Sequence, residues 1–162
     1  PFTRRSMARK AVRVFLDSNV ILSGLLSDKG APRTILDILS LKFRFLIGIT
    51  GLYNIIEIER NLTKKLPAAI PIYKEYIPKL NLEIVPLPLP EEVKRFSGHT
   101  SAKDVPVLAS ALNGKADFLV TGDKKDFASL ITKGRYPFKI VTPAEFLDMI
   151  IPDVVKHLTE QN

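Results

Sequence analysis

Four acidic side chains stand at points of the sequence that a parallel β-sheet would bring together. Asp17 follows the apolar run VRVFL, and Asp123 follows FLVTG. Asp104 precedes a helical segment just ahead of that second run, and Glu57 lies early in the helix after another predicted strand. Because parallel strands present their carboxyl ends at one edge of a sheet, we expect the four carboxylates to converge there.

A cluster of carboxylates favours metal chemistry with hard oxygen ligands. Carboxylates that are pressed together repel one another, and a divalent cation such as Mg²⁺ or Mn²⁺ relieves that repulsion. The chain has no cysteine and only two histidines. That composition excludes disulfides, thiolate zinc sites, iron–sulfur clusters and histidine-rich metal sites. We therefore predict Mg²⁺ or Mn²⁺ as the cofactor.

Each of these acids also has a purely structural interpretation. The Asp-Ser-Asn sequence at Asp17 is typical of a turn, and so is the Gly-Asp pair at Asp123. Asp104 is placed to cap the helix that follows it, and we expect it to do so. Taken singly, each acid favours the structural role, and only their combination indicates a site.

Strand and helix patterns alternate along the whole chain. That alternation predicts the α/β class, as a three-layer α/β/α sandwich with a mostly parallel central sheet. The predicted strands are 12–16, 43–49, 82–87, 118–121 and 138–141, and the predicted helices are 20–26, 31–41, 51–66, 72–80, 91–96, 105–112, 127–133 and 142–151.

The length of 162 residues suits one domain, and 46% apolar with 25% charged residues is a globular composition. We expect a basic tail at 1–11, a folded domain at 12–151, and a C-terminal helical tail at 152–162, separated by a helix break at Pro152. The longest uncharged run is twelve residues, 45–56, which is too short to span a membrane. The N-terminus lacks the apolar region of a signal peptide, so we expect a cytoplasmic protein.

The net charge of +7 is concentrated at the N-terminus. The first sixteen residues contain five bases and no acid. Such a tail either binds phosphates or merely aids solubility, and charge alone does not decide between the two.

Several sequence blocks together resemble the PIN-domain family, and in particular its single-domain, toxin-like members from prokaryotic toxin–antitoxin systems. The resemblance covers residues 13–151. The blocks that carry it are VFLDSNVILSGLLS, GAPRTILDIL, KDVPVLASAL, ADFLVTGDKKDF and FKIVTPAEFL, in that order along the chain.

The resemblance implies a metal-dependent endoribonuclease with an α/β sandwich fold. Its catalytic, metal-binding acids correspond to Asp17, Glu57, Asp104 and Asp123. The implied supporting residues, which orient carboxylates or water, are Asn19 and Thr121, with Ser18 and the further acid Asp126 beside them. RNA is the implied substrate and an antitoxin protein the implied partner.

Flanking residues supply two more candidates. Lys103 and Lys124 lie next to the proposed acids and are candidate phosphate contacts, although both are equally typical of solvated surface lysines.

The last helix carries apolar side chains that suit either a homodimer face or burial within the domain: Phe146, Ile150, Ile151, Val154, Val155 and Leu158.

The glutamate of the site has two candidates on one helix. At about 100° per residue, Glu59 falls within the apolar face defined by Leu52, Ile55, Ile58 and others, and Glu57 falls nearly opposite. Periodicity therefore favours Glu59, whereas the family pattern favours Glu57. We follow the pattern and keep Glu59 as the alternative.

Two other functions compete with ribonuclease activity. One is a non-catalytic nucleic-acid-binding module, or an RNA-processing factor, on the same fold. The other is a phosphoacceptor signalling domain, which would need an acidic pair after the first strand. Asp17 stands alone there, so we rank that function last.

Overall fold

The computed structural model describes residues 10–127 and 136–160. Within these ranges, five parallel strands form one sheet in the spatial order 3-2-1-4-5. They are β1 (Val12–Leu16), β2 (Leu46–Gly51), β3 (Glu83–Val85), β4 (Phe118–Val120) and β5 (Lys139–Val141). The all-parallel sheet confirms the predicted α/β class.

Helices cover both faces of the sheet. They are α1 (Ser18–Leu26), α2 (Ala31–Ser40), α3 (Leu52–Lys65), α4 (Ile70–Tyr76), α5 (Pro90–Arg95), α6 (Val105–Asn113) and α7 (Pro143–Glu160), with 3₁₀ turns at Pro67–Ala69, Ile77–Leu80 and Lys124–Phe127. Alternate residues of β1 face the two helical layers on opposite sides of the sheet. Val14 and Leu16 pack with α1, α2, α3 and α7, whereas Phe15 packs with α6. This arrangement confirms the three-layer sandwich.

The strand order creates a switch point beside β1. The chain runs from β1 outward through β2 and β3, and then returns to place β4 on the other side of β1. Ligands of doubly wound sheets bind outside the carboxyl ends of strands at such a point. Asp17 directly follows β1, and its backbone N–H donates to the carbonyl of Val120 at the end of β4 (3.0 Å).

Strand β2 begins three residues later than predicted. The chain turns at Lys42, whose φ is +56°, and the rings of Phe43 and Phe45 then pack together with centroids 5.3 Å apart. The aromatic residues that suggested a strand start therefore belong to the turn, and only Leu46 onward pairs with β1.

The predicted break at Pro152 is wrong, because α7 is continuous through it. Proline removes one helical hydrogen bond, yet Phe146, Ile150 and Val154 are buried along one stripe on both sides of it. Burial of that stripe keeps the helix on the core. Ile151, Val155 and Leu158 remain exposed, so the homodimer face stays a prediction.

Two predicted segments fall largely outside the described residues. They are the basic tail, of which only residues 10 and 11 are described, and the helix at 127–133, of which only Phe127 is described. Among described residues, none of the helices is long and apolar enough to cross a membrane.

Candidate active site

An acidic cleft of about 140 Å³ opens at the carboxyl ends of β1 and β4. All four predicted acids line it: Asp17, Glu57, Asp104 and Asp123. Ser18, Asn19 and Lys103 line it as well, together with Asn61 and the apolar residues Leu22 and Val107. The structure thus brings side chains from the segment after β1, from α1 and α3, from the start of α6 and from the segment after β4 to one place.

Asp17 is the most enclosed of these acids, with 6% of its surface exposed. It is the N-cap of α1, and its Oδ1 accepts a hydrogen bond from the backbone N–H of Ser18 (2.8 Å) and from the side-chain amide of Asn54 (3.2 Å). Its Oδ2 accepts from the hydroxyl of Thr121 (2.8 Å). Both oxygens are therefore fixed by the surrounding elements.

Burial raises the pKa of Asp17 to about 6 from an ordinary value of 3.8. The hydrogen bonds from Thr121 and Ser18 oppose this shift, and the negative charges of Glu57 and Asp104 add to it. A carboxyl group that is buried among other carboxyl groups is typical of a functional site.

A small network fixes Asp123 at the end of β4. The side-chain amide of Asn19 donates to Asp123 Oδ2 (2.8 Å), and Asn19 Oδ1 accepts from the backbone N–H of Gly122 (3.0 Å). The hydroxyl of Thr121 accepts from the backbone N–H of Asp123 (3.0 Å) while it donates to Asp17. Asn19 and Thr121 therefore link the two strand-end acids.

Asp104 stands at the N-cap position of α6, but its side chain makes no capping hydrogen bond. The expected capping role is therefore wrong. Its backbone is helical (φ −96°, ψ −12°), whereas a capping side chain requires extended backbone. The carboxylate instead accepts from the hydroxyl of Ser101 (2.5 Å) and lines the cleft. Burial raises its pKa, with smaller contributions from Asp126 and Asp123, against the lowering effects of Ser101 and Lys103.

The structure separates the two candidate glutamates of α3. Glu57 lines the cleft, together with Asn61 one turn further on. Glu59 is exposed to solvent, and its carboxylate accepts a hydrogen bond from the hydroxyl of Tyr73 (3.1 Å) in a different, mostly apolar groove.

Ile58 and Leu62 are buried as predicted, but the apolar face of α3 is narrower than periodicity indicated. This difference explains why periodicity favoured Glu59. Leu52, Ile56 and Leu66 are each more than a third exposed. The buried residues are Asn54, Ile58 and Leu62. Sequence reasoning missed Asn54 because a buried asparagine takes a position that apolar periodicity assigns to leucine or isoleucine. Its spacing to Ile58 and Leu62 (i, i+4, i+8) was the available signal.

The two candidate lysines lie in different places. Lys103 lines the cleft, with its Nζ 3.9 Å from a carboxylate oxygen of Asp126. Lys124 instead donates to both carboxylate oxygens of Glu145 at the start of α7 (2.9 and 3.0 Å). The structure therefore brings Lys103, but not Lys124, to the cleft, and leaves Asp126 beside Lys103.

The donors of the cleft fit a hard divalent cation by their chemistry. They are carboxylate oxygens, the ligands that Mg²⁺ and Mn²⁺ prefer. Within the described part of the chain, no group of three or more histidine, cysteine or acidic side chains stands as a ready metal cluster. The acids thus share one cleft without forming a closed ligand shell.

A larger cavity lies at the amino-terminal ends of β1 and β2. It measures about 800 Å³, and its lining includes Lys10, Arg44 and Lys156 alongside Asp153 and Glu160. Mixed charges of this kind do not supply convergent carboxylates. Convergent carboxylates lie instead in the smaller, acidic cleft.

Comparison with known proteins identifies a family. A model of the PIN domain matches residues 13–125. No protein of curated function matches the chain.

Two solved structures share the fold at low sequence identity. One is a chain in the crystal structure of VapBC2 from Rickettsia felis bound to a promoter DNA fragment. It is 15% identical to this chain, with a TM-score of 0.52, and the match covers 81% of this chain and 98% of that chain. The crystal structure of PAE2754 from Pyrobaculum aerophilum is 16% identical with a TM-score of 0.58, covering 89% and 94% respectively.

Proposed function

The chain belongs to the PIN domain family, and from this premise we propose that its acidic cleft is the active site of a metal-dependent endoribonuclease. One observation carries the proposal: Asp17, Glu57, Asp104 and Asp123 come from four separate segments and line one cleft. Repelling carboxylates persist in one place most readily when a cation is bound between them.

Asp17, Asp104 and Asp123 would hold Mg²⁺ or Mn²⁺, with Glu57 contributing directly or through water. When bound, the cation supplies activation of a water molecule and neutralises charge that develops on the phosphodiester in the transition state. The fold supplies a site without soft ligands, because the chain has no cysteine and neither histidine lines the cleft.

The other cleft residues orient these acids and the RNA. The hydrogen bonds from Ser18 and Thr121 favour the charged form of Asp17 against the effect of burial. Asn19 holds the carboxylate of Asp123 in one orientation. Lys103 is placed to contact a phosphate of the scissile strand, and its pairing with Asp126 at 3.9 Å is loose enough to be exchanged.

We further propose that the protein is the toxin component of a toxin–antitoxin pair in the cytoplasm. The likeness to a chain of the VapBC2 structure supports this assignment. An antitoxin protein would then be its partner, and RNA its substrate. A non-catalytic nucleic-acid-binding module is the alternative on the same fold.

Cleavage of single-stranded RNA by the wild type and Asp17→Asn tests the function. We expect Mn²⁺- or Mg²⁺-dependent cleavage by the wild type and none above background by the variant, with an unchanged circular dichroism spectrum. Asp148→Asn, at an exposed acid of α7, is the matched control and should cleave like the wild type. Full activity of Asp17→Asn would refute the assignment, and metal-independent RNA binding without cleavage would favour the alternative.

A further inference from the structure

Two buried polar atoms beside the acidic cleft have no hydrogen-bond partner among the described residues. They are Oδ1 of Asn54 and Oγ of Ser110, and both residues are fully buried. A buried polar group without a partner costs about 1–3 kcal/mol. Most such groups in native proteins are satisfied by protein or by ordered water, so this pair requires an explanation.

Both atoms border the same small space. A Cβ atom added to Gly51 would lie 2.9 Å from Asn54 Oδ1 and 2.9 Å from Ser110 Oγ. Gly51 ends β2 and caps α3, so the space lies between α3 and α6, behind the cleft. That space is too tight for a side chain at position 51, so glycine is required for Asn54 and Ser110 to lie this close.

The nitrogen of the Asn54 side-chain amide contacts the proposed site. Its Nδ2 donates to Oδ1 of Asp17 (3.2 Å) and to Oγ of Ser18 (2.9 Å). An amide nitrogen has two protons to donate, and both are used. The reverse orientation would aim Oδ1 at the carboxylate of Asp17, and repulsion between the oxygens disfavours it.

We propose that Asn54 is a positioning residue for the acidic site, held in place by the close packing of Gly51 and Ser110 against its amide. The locked amide then fixes Asp17 and Ser18 from behind, so that the remaining lone pairs of Asp17 face the cleft. This inference rests on the proposed metal-dependent function of the cleft.

The affinity of the RNA-free protein for Mn²⁺, measured by titration calorimetry, tests the role without using catalysis. Asn54→Ala removes both donors to the site and should weaken Mn²⁺ binding by about 10–100-fold, the usual effect of removing a residue that orients metal ligands. Gly51→Ala places a methyl group against Asn54 and Ser110 and should weaken binding by about 10-fold.

Gly48→Ala is the matched control, in the same strand. Its Cβ would be equally crowded, at 2.8 Å from Leu82 and 2.9 Å from Leu39, but it would meet only apolar side chains. We expect this variant to lose stability and to retain wild-type Mn²⁺ affinity. If Asn54→Ala fails to fold, Ser110→Ala provides the same measurement, with weaker binding expected.

The outcomes separate this inference from the proposed function. Wild-type binding and cleavage, combined with unchanged Mn²⁺ affinity in Asn54→Ala and Gly51→Ala, would overturn the positioning role and leave the function intact. Equal losses in Gly51→Ala and Gly48→Ala would also overturn it, because they would indicate general destabilisation. A wild type that neither binds Mn²⁺ nor cleaves RNA would overturn both.

Discussion

Helix α3 borders two regions that give a carboxylate opposite electrostatic environments. On one side, Glu57 lines the acidic cleft, where its negative charge adds to the raised pKa of Asp17. On the other side, Glu59 borders an apolar groove of about 310 Å³, where its carboxylate accepts a hydrogen bond from Tyr73. The two glutamates are two residues apart, so their neighbours alone create the difference.

The contrast shows which acid indicates function. A carboxylate next to a neutral donor has an ordinary structural environment, and folding needs nothing more to accommodate it. A carboxylate grouped with others, and partly buried, opposes folding unless a cation joins it. The following predictions test this distinction, from the largest expected effect to the smallest.

The stability of the metal-free protein should depend on pH through Asp17. Its pKa is about 6 in the folded protein and ordinarily 3.8, so the folded protein keeps a proton that the unfolded chain releases between these values. Stability must therefore fall as pH rises through this window, by about 3 kcal/mol in total. Urea denaturation with a chelator at pH 4, 5, 6 and 7 should show this loss in the wild type.

Asp17→Asn is the reference for that measurement, because it lacks the titrating group and retains the rest of the chain. The difference in unfolding free energy between the two proteins should grow in favour of the variant up to about pH 6 and then level off. Mn²⁺ should restore the stability of the wild type at pH 7 and leave the variant unchanged. Parallel pH curves for the two proteins would contradict the assignment of buried charge to this site.

Exchange of each glutamate for glutamine tests the comparison directly. Glu57→Gln removes a charge at the cleft and should lower RNA cleavage by about 10–100-fold, as expected for a group that binds or orients the metal. Glu59→Gln keeps an acceptor for Tyr73 and should change cleavage by less than a factor of two. The reverse ranking would move the site to the side of the helix that periodicity favoured.

The same comparison between cleft and surface can be made with two basic residues, Lys103 and Lys124. Lys103→Ala removes a charge at the cleft and should raise the KM for RNA about fivefold, corresponding to ~1 kcal/mol for one solvated charge contact. Lys124→Ala breaks an ion pair with Glu145 at the start of α7 and should leave KM unchanged. A larger KM effect at Lys124 would place the path of the RNA over α7 instead.

The positions of two of the cleft acids could be predicted from the sequence because each acid comes just after a strand. An apolar run followed by an acid is visible at Asp17 and Asp123, and alternation of strands and helices places both at one edge. The start of α7 is also fixed locally, because the backbone N–H of Thr142 donates to Glu145 (2.8 Å) and the N–H of Glu145 donates to Thr142 (3.1 Å).

The remaining features depended on tertiary packing. The buried amide of Asn54 has its partners, Asp17 and Ser18, at the start of α1, which no local pattern reveals. The core continues on both sides of Pro152 and outweighs a strong local signal for a helix break. Asp104 satisfied the sequence pattern of a cap, yet a hydroxyl three residues earlier, on Ser101, gave its carboxylate another partner.

The smallest effect should come from the groove side of α3. Tyr73→Phe removes the donor to Glu59, and because Glu59 is exposed and remains hydrated, we expect a loss of only about 0.5 kcal/mol in unfolding free energy. Burial and the charge of Glu59 raise the pKa of Tyr73, so the hydroxyl stays a neutral donor and the loss should be constant from pH 6 to pH 9. RNA cleavage and Mn²⁺ affinity should not change, because neither residue reaches the cleft. A variant that unfolds at the same urea concentration as the wild type but cleaves RNA more slowly would mean that the two sides of the helix are coupled. The contrast between Glu57 and Glu59 would then no longer separate function from structure.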